Sequence, residues 1–193
     1  MPNWCSNKLS ITAQNAEQIA ELEGWYAYVS ADDYRTDTGK GFFYRVLPTP
    51  PNMTEREAVG TQAELWGTKW EVWSFANTDY KNGSLVLEFD TAWSPPMGIC
   101  MELARRGYLI RLEYFEPGMS FGGVVENNNN IFELAHIHSD NIENPKDEVR
   151  QEIDDTFGIS DWYGEAEEDY LPTRNVINVK DDDQDQLINN GGI

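Results

Sequence analysis

The sequence predicts an α+β fold, with an antiparallel sheet carrying two helices on one face. Three observations predict it. Leu85, Leu87 and Phe89 alternate with Val86, Glu88 and Asp90, the period-2 pattern of a half-buried strand. Lys81-Asn82-Gly83 stands just before them and supplies a hairpin turn, because Asn and Gly tolerate the positive φ such turns demand. Helix-patterned and strand-patterned stretches follow in the order strand, helix, excursion, hairpin, helix, strand. Without the excursion that is the split β-α-β-β-α-β arrangement called ferredoxin-like.

Each element has its own warrant. In Trp4 to Thr12, Leu9 and Ile11 alternate with Lys8, Ser10 and Thr12, which reads as a strand. Gln14 or Asn15 caps the helix that follows, with Ile19, Leu22, Tyr26 and Val29 as its apolar stripe. Gly24 weakens that helix or ends it. Phe42 to Leu47 is a short apolar run, read as a strand, and Pro48, Pro50 and Pro51 stop it. Thr54 with Glu57 fits a capping box, so Thr54 to Leu65 reads as a helix. Lys40 to Thr68 is thus an insertion ahead of the hairpin. The hairpin stretch runs from Trp66 to Pro96, its apolar set opening with Trp70, Val72 and Phe75. Four of the seven tryptophans (Trp66, Trp70, Trp73 and Trp93) give it an aromatic face.

Pro95 and Pro96 open the next helix, allowed there because the first turn needs no N–H partner. Met97, Cys100, Met101 and Ala104 line one side of it, Arg105 and Arg106 sit in its last turn, and Gly107 caps it. Tyr108 to Phe115, Phe121 to Glu126 and Ile131 to Ala135 read as further strands. Beyond them Lys146 to Ile159 reads as a helix facing inward through Val149, Ile153 and Phe157, and Val176 to Val179 as a short strand. The expected division is a ferredoxin-like domain over residues 1–135, with its insertion near 40–68, and an acidic extension over 136–193, frayed at its end.

Composition narrows the function. The 193 residues hold 34 acidic and 14 basic side chains, a net charge of −20. Residues 132–193 carry 17 of the acids and 4 of the bases. Such a surface repels nucleic acid and anionic lipid and attracts basic proteins. Direct nucleic-acid binding and membrane association are therefore not expected. No window approaches the roughly 18 apolar residues of a membrane span, and the N-terminus lacks a basic-then-apolar leader. A cytoplasmic protein with two buried thiols, Cys5 and Cys100, is expected.

Motifs of catalysis and metal binding are weak. Asp181, Asp183 and Asp185 imitate a calcium loop, but Gln186 and Gly192 occupy the positions that need Gly and Glu. His136 and His138, with Glu133 or Asp140, lack an identifiable third ligand. No phosphate-cradling, nucleophile-elbow or zinc-helix motif is present. No catalytic residue, metal or cofactor is assigned.

The segments MPNWCSNKLSIT, WGTKW, FDTAWSPP and YFEPGMSFGG resemble the YubB-like family of phage and conjugative-plasmid proteins. The resemblance covers about Met1 to Gly123. It implies a ferredoxin-like domain, a mobile-element origin and a bacterial cytoplasm, and it carries over no catalytic residues. The function expected is that of a non-enzymatic accessory protein, an inhibitor of anti-restriction or anti-CRISPR type, which binds and blocks a host protein of a nucleic-acid-dependent defence system. Its acidic surface would imitate duplex phosphates, which fall about every 1.7 Å of axis. Asp154, Asp155, Asp161, Glu165, Glu167, Glu168 and Asp169 would supply the charge, with Trp162 and Tyr163 as anchors. The alternatives are a ligand pocket or small enzyme site between Trp66–Trp73 and Phe42–Pro51, and a homodimer through the open sheet face.

Overall fold

The structure is a computed structural model and describes residues 3–31, 34, 40–128, 131–137, 148–159 and 174–178. The elements run β1 (Trp4–Thr12), α1 (Ala16–Val29), α2 (Phe42–Val46), α3 (Glu55–Trp66), β2 (Phe75–Lys81) and β3 (Ser84–Ala92). They continue as α4 (Met97–Arg105), β4 (Leu109–Glu116), β5 (Phe121–Asn128), β6 (Ile131–Ile137), α5 (Glu148–Phe157) and β7 (Arg174–Asn178).

Asn82 and Gly83 both take positive φ, 52° and 77°, so a two-residue turn joins β2 to β3 with the twist that hairpins favour. The sheet order is β2-β3-β1-β4-β5-β6-β7, every described pairing antiparallel. Its first four strands, with α1 and α4, are the ferredoxin-like arrangement. β5, β6 and β7 extend the sheet beyond β4. β6 spans the expected division between residues 135 and 136.

One face carries the main core. Leu9, Ile11, Leu85, Leu87, Ile110, Leu112 and Tyr114 bury against Leu22, Trp25, Ile99 and Leu103. The opposite face of β4 and β5 carries a second core, where Phe115 and Val124 meet Ile153 of α5. β4 therefore loses its alternation: every residue from Leu112 to Glu116 is buried, because both faces are covered.

Four expectations need correction. Phe42–Val46 is a helix, not a strand. The Glu71 carboxylate accepts the N–H groups of Phe43 at 2.8 Å and Tyr44 at 2.9 Å, which caps the start of α2. The hairpin strand starts at Phe75; Trp66 closes α3, and residues 67–74 form no regular element. The buried stripe of α1 is Gln18, Leu22, Trp25 and Val29, while Ile19 is exposed. Gln18 holds its place through bonds from the Gln14 N–H and to the Arg106 carbonyl, and Gly24 leaves the helix unbroken. In α4 the buried residues are Ile99, Cys100, Leu103 and Ala104.

Candidate functional site

Two surfaces bear on function, one on the sheet face opposite α1 and α4 and one at an end of the sheet. The first is α5. It lies over β4 and β5, and the tilted rings of Phe157 and Phe115 stand 6.4 Å apart. Polar groups fix it as well. Arg111 pairs with Glu113 at 3.3 Å and also with Glu126 and Glu152, so one guanidinium ties β4, β5 and α5 together. Thr156 donates to Glu113, and Lys8 stands 3.9 Å from the same carboxylate. On this helix Asp155 is exposed and accepts from Gln151 at 2.8 Å; Asp154 is half-buried. Asp161, Trp162, Tyr163, Glu165, Glu167, Glu168 and Asp169 lie outside the described residues. So do His138 and the Asp181–Asp185 run, while His136 sits in β6 opposite Gly123. Among the described residues no group of three His, Cys, Asp or Glu is placed to hold a metal.

The second surface is a tryptophan cluster at the end of the sheet where β1 begins and β3 ends. Its scaffold is buried and polar. Asn7 donates to the Cys5 carbonyl at 2.7 Å and to Thr91 Oγ1 at 2.9 Å. Thr91 donates to the Ser94 carbonyl at 2.8 Å, Ser94 to the Gly67 carbonyl at 2.6 Å, and Thr68 to the Ala92 carbonyl at 3.0 Å. These bonds fasten the 67–70 segment to the end of β3. Gly67 approaches α4 closely: a Cβ there would meet the Met97 nitrogen at 2.9 Å.

On that scaffold stand Trp4, Trp70 and Trp93. Trp4 is 43 % and Trp93 51 % exposed. The Trp4 and Trp70 rings lie 6.3 Å apart. Lys69 reaches between two rings, its Nζ 4.9 Å from the Trp70 centroid and 4.6 Å from that of Trp93. Trp93 has φ 71°, a left-handed conformation that a bulky residue rarely adopts. The sequence reading noted Trp70 and Trp93 as part of a sheet face; they lie instead beyond the strand ends. It missed the cluster, because Trp4, Lys69 and Trp93 are remote in sequence. The available signal was local: Trp93 stands between the end of the alternating strand and Ser94-Pro95-Pro96, and Trp70 follows Gly67 by three residues.

The segments expected to line a pocket pack on each other. Trp66 is fully buried, and its indole N–H donates to the Leu47 carbonyl at 2.8 Å. The Phe43 and Trp66 rings meet at 5.7 Å. Glu71, in the first segment, reaches the second with its carboxyl, which burial pushes up to about 7 against the pull of its backbone N–H partners. Both thiols are also buried. Burial pushes Cys100 up to about 12 and raises Cys5 further, with Glu116 adding to the shift at Cys5.

Residues 69–160 match the family described as a ferredoxin-like domain in Api92-like protein. The crystal structure of protein Api92 from Yersinia pseudotuberculosis is similar at 12 % identity and a TM-score of 0.45, covering 66 % of this chain and 95 % of that one. No curated protein matches the sequence.

Proposed function

We propose that the chain is a non-catalytic binding protein of a phage or conjugative plasmid, acting in the bacterial cytoplasm. It occupies a basic surface of a host protein and blocks it. The target is a nucleic-acid-dependent defence enzyme whose groove accepts carboxylates in place of duplex phosphates. The observation that carries this reading is the seating of α5. An acidic helix, in a chain of net charge −20, is clamped to the sheet by Arg111 and by a small apolar core. Carboxylates on a rigid support lose little freedom on docking, which favours affinity.

The rival reading, a ligand site between Trp66–Trp73 and Phe42–Pro51, draws on the shifted carboxyl of Glu71. Both oxygens of that carboxyl already hold backbone N–H groups of α2. A ligand that took them would uncap the helix, so the binding reading is preferred.

The test is capture of partners from the bacterial host, with washes of rising salt and competition by duplex DNA. A nucleic-acid enzyme that salt and duplex both displace is the expected result. Charge reversal at Asp154, Asp155, Asp161, Glu165, Glu167, Glu168 and Asp169 should then abolish its inhibition while the circular dichroism spectrum is kept. Inhibition that survives the reversal sinks the proposal.

A further inference from the structure

We infer that the tryptophan cluster is a cation cage, held shut by Lys69, which opens to receive an arginine side chain from the basic partner. This deepens the reading above and rests on it for the basicity of that partner. Three independent observations carry it. Two indole rings already hold an ammonium group between them, at 4.9 and 4.6 Å from their centroids. This is the geometry in which ring faces attract positive charge. The cage is also pre-built. Asn7, Thr68 and Thr91, each at most 2 % exposed, spend their hydrogen bonds on fastening the two segments that bear the rings. Finally, Trp93 keeps a left-handed backbone although half of its side chain faces solvent. Strain of that kind, with little burial to offset it, points to a use outside the fold.

The occupant follows from charge and shape. Glu88 and Asp90 stand on the same sheet face as Trp4, in register with Lys8 and Ser6. An arginine is planar and stacks on indole while its edge donates to a neighbouring carboxylate. Lysine offers a point charge without the plane, so an intramolecular Lys69 is a weaker occupant that arginine displaces. Exposed tryptophans that take a partner's arginine form the kind of hot spot that dominates protein interfaces.

The experiment is a tryptophan-fluorescence titration of the full chain with an arginine-rich peptide, at about 1 M salt, where screening acts beyond about 3 Å. A lysine-rich peptide, a neutral peptide and a single-stranded oligonucleotide are the comparisons. The arginine peptide should bind best. Trp93→Ala and Trp70→Ala should each weaken it about tenfold, the loss of a desolvated cation–π contact. Trp93→Phe should recover part of the loss, and Lys69→Ala should tighten binding severalfold. Amide exchange of β1 and β3, unchanged in the variants, shows that the fold is intact. Equal binding by the tryptophan variants overturns the cage, as does preference for the oligonucleotide, the neutral peptide or the lysine peptide. Because α5 is untouched in these variants, failure of the acidic-surface proposal and failure of the cage are read separately.

Discussion

At the scale of single residues, Glu71 and Trp93 go against ordinary preference, and each has a measurable consequence. The Glu71 carboxyl sits near 7 in the fold and near 4.5 in the unfolded chain, because burial disfavours its charge. The native state therefore holds a proton that the unfolded state has released. Its contribution is full below pH 4.5 and is lost as pH rises through 7, by about 3 kcal/mol at most. Thermal melts across that window should show the decline, and Glu71→Gln should flatten it relative to the parent. A parallel slope in the variant would assign the effect to other carboxyls. At Trp93, glycine accepts φ 71° freely. Trp93→Gly should thus leave stability within about 1 kcal/mol of the parent, because relief of strain offsets the lost ring contacts. Denaturant melts check this, and a much larger loss would make the tryptophan a structural residue.

At the scale of elements, what could be read from sequence divides by the range of the interactions. The hairpin was legible because Asn82-Gly83 and the alternation of Leu85, Leu87 and Phe89 are local. The capping box of α3 was legible for the same reason: the Glu57 N–H donates to Thr54 Oγ1 at 3.3 Å within a single turn. α2 was not legible. FFYRV has strand character, and its helix is imposed by a carboxylate 28 positions away. The α1 stripe was misplaced because Gln18, a polar residue, takes a buried position that hydrophobic periodicity does not count. The tryptophan cluster was invisible because register, not spacing, brings Trp4 opposite Ala92 and hence beside Trp93.

Two element contacts can be tested directly. A Cβ on Gly98 would stand 1.8 Å from the Leu65 carbonyl oxygen, so α4 and α3 meet where only glycine fits. Gly98→Ala should lower stability by roughly 3 kcal/mol or more, read from denaturant midpoints. Arg111→Ala removes the cation shared by Glu113, Glu126 and Glu152. It should release α5 first: amide exchange in α5 speeds up while β1 and β3 keep their protection. Uniform loss of protection would mean that α5 and the sheet open together.

At the scale of the whole molecule, charge sets the balance. With 34 acids against 14 bases, repulsion is spread over the chain, whereas among the described residues attraction is gathered in a few networks such as that around Arg111. Added salt screens both, and the more numerous term wins. Melting temperature should therefore rise between about 0.01 M and about 1 M salt. A fall would show that the networks outweigh the repulsion.

Cys5 and Cys100 are both wholly inaccessible, one in the interior strand β1 and the other in the helix layer above it. That placement gives the chain two internal clocks. An alkylating reagent can reach either sulfur only while the surrounding structure is open, so its rate of attachment times the openings. Equal rates at the two sites would mean that sheet and helices part in one event. Faster attachment at Cys100 would mean that the helix layer lifts while the strands stay joined, and a single mass spectrum taken over time would separate the two.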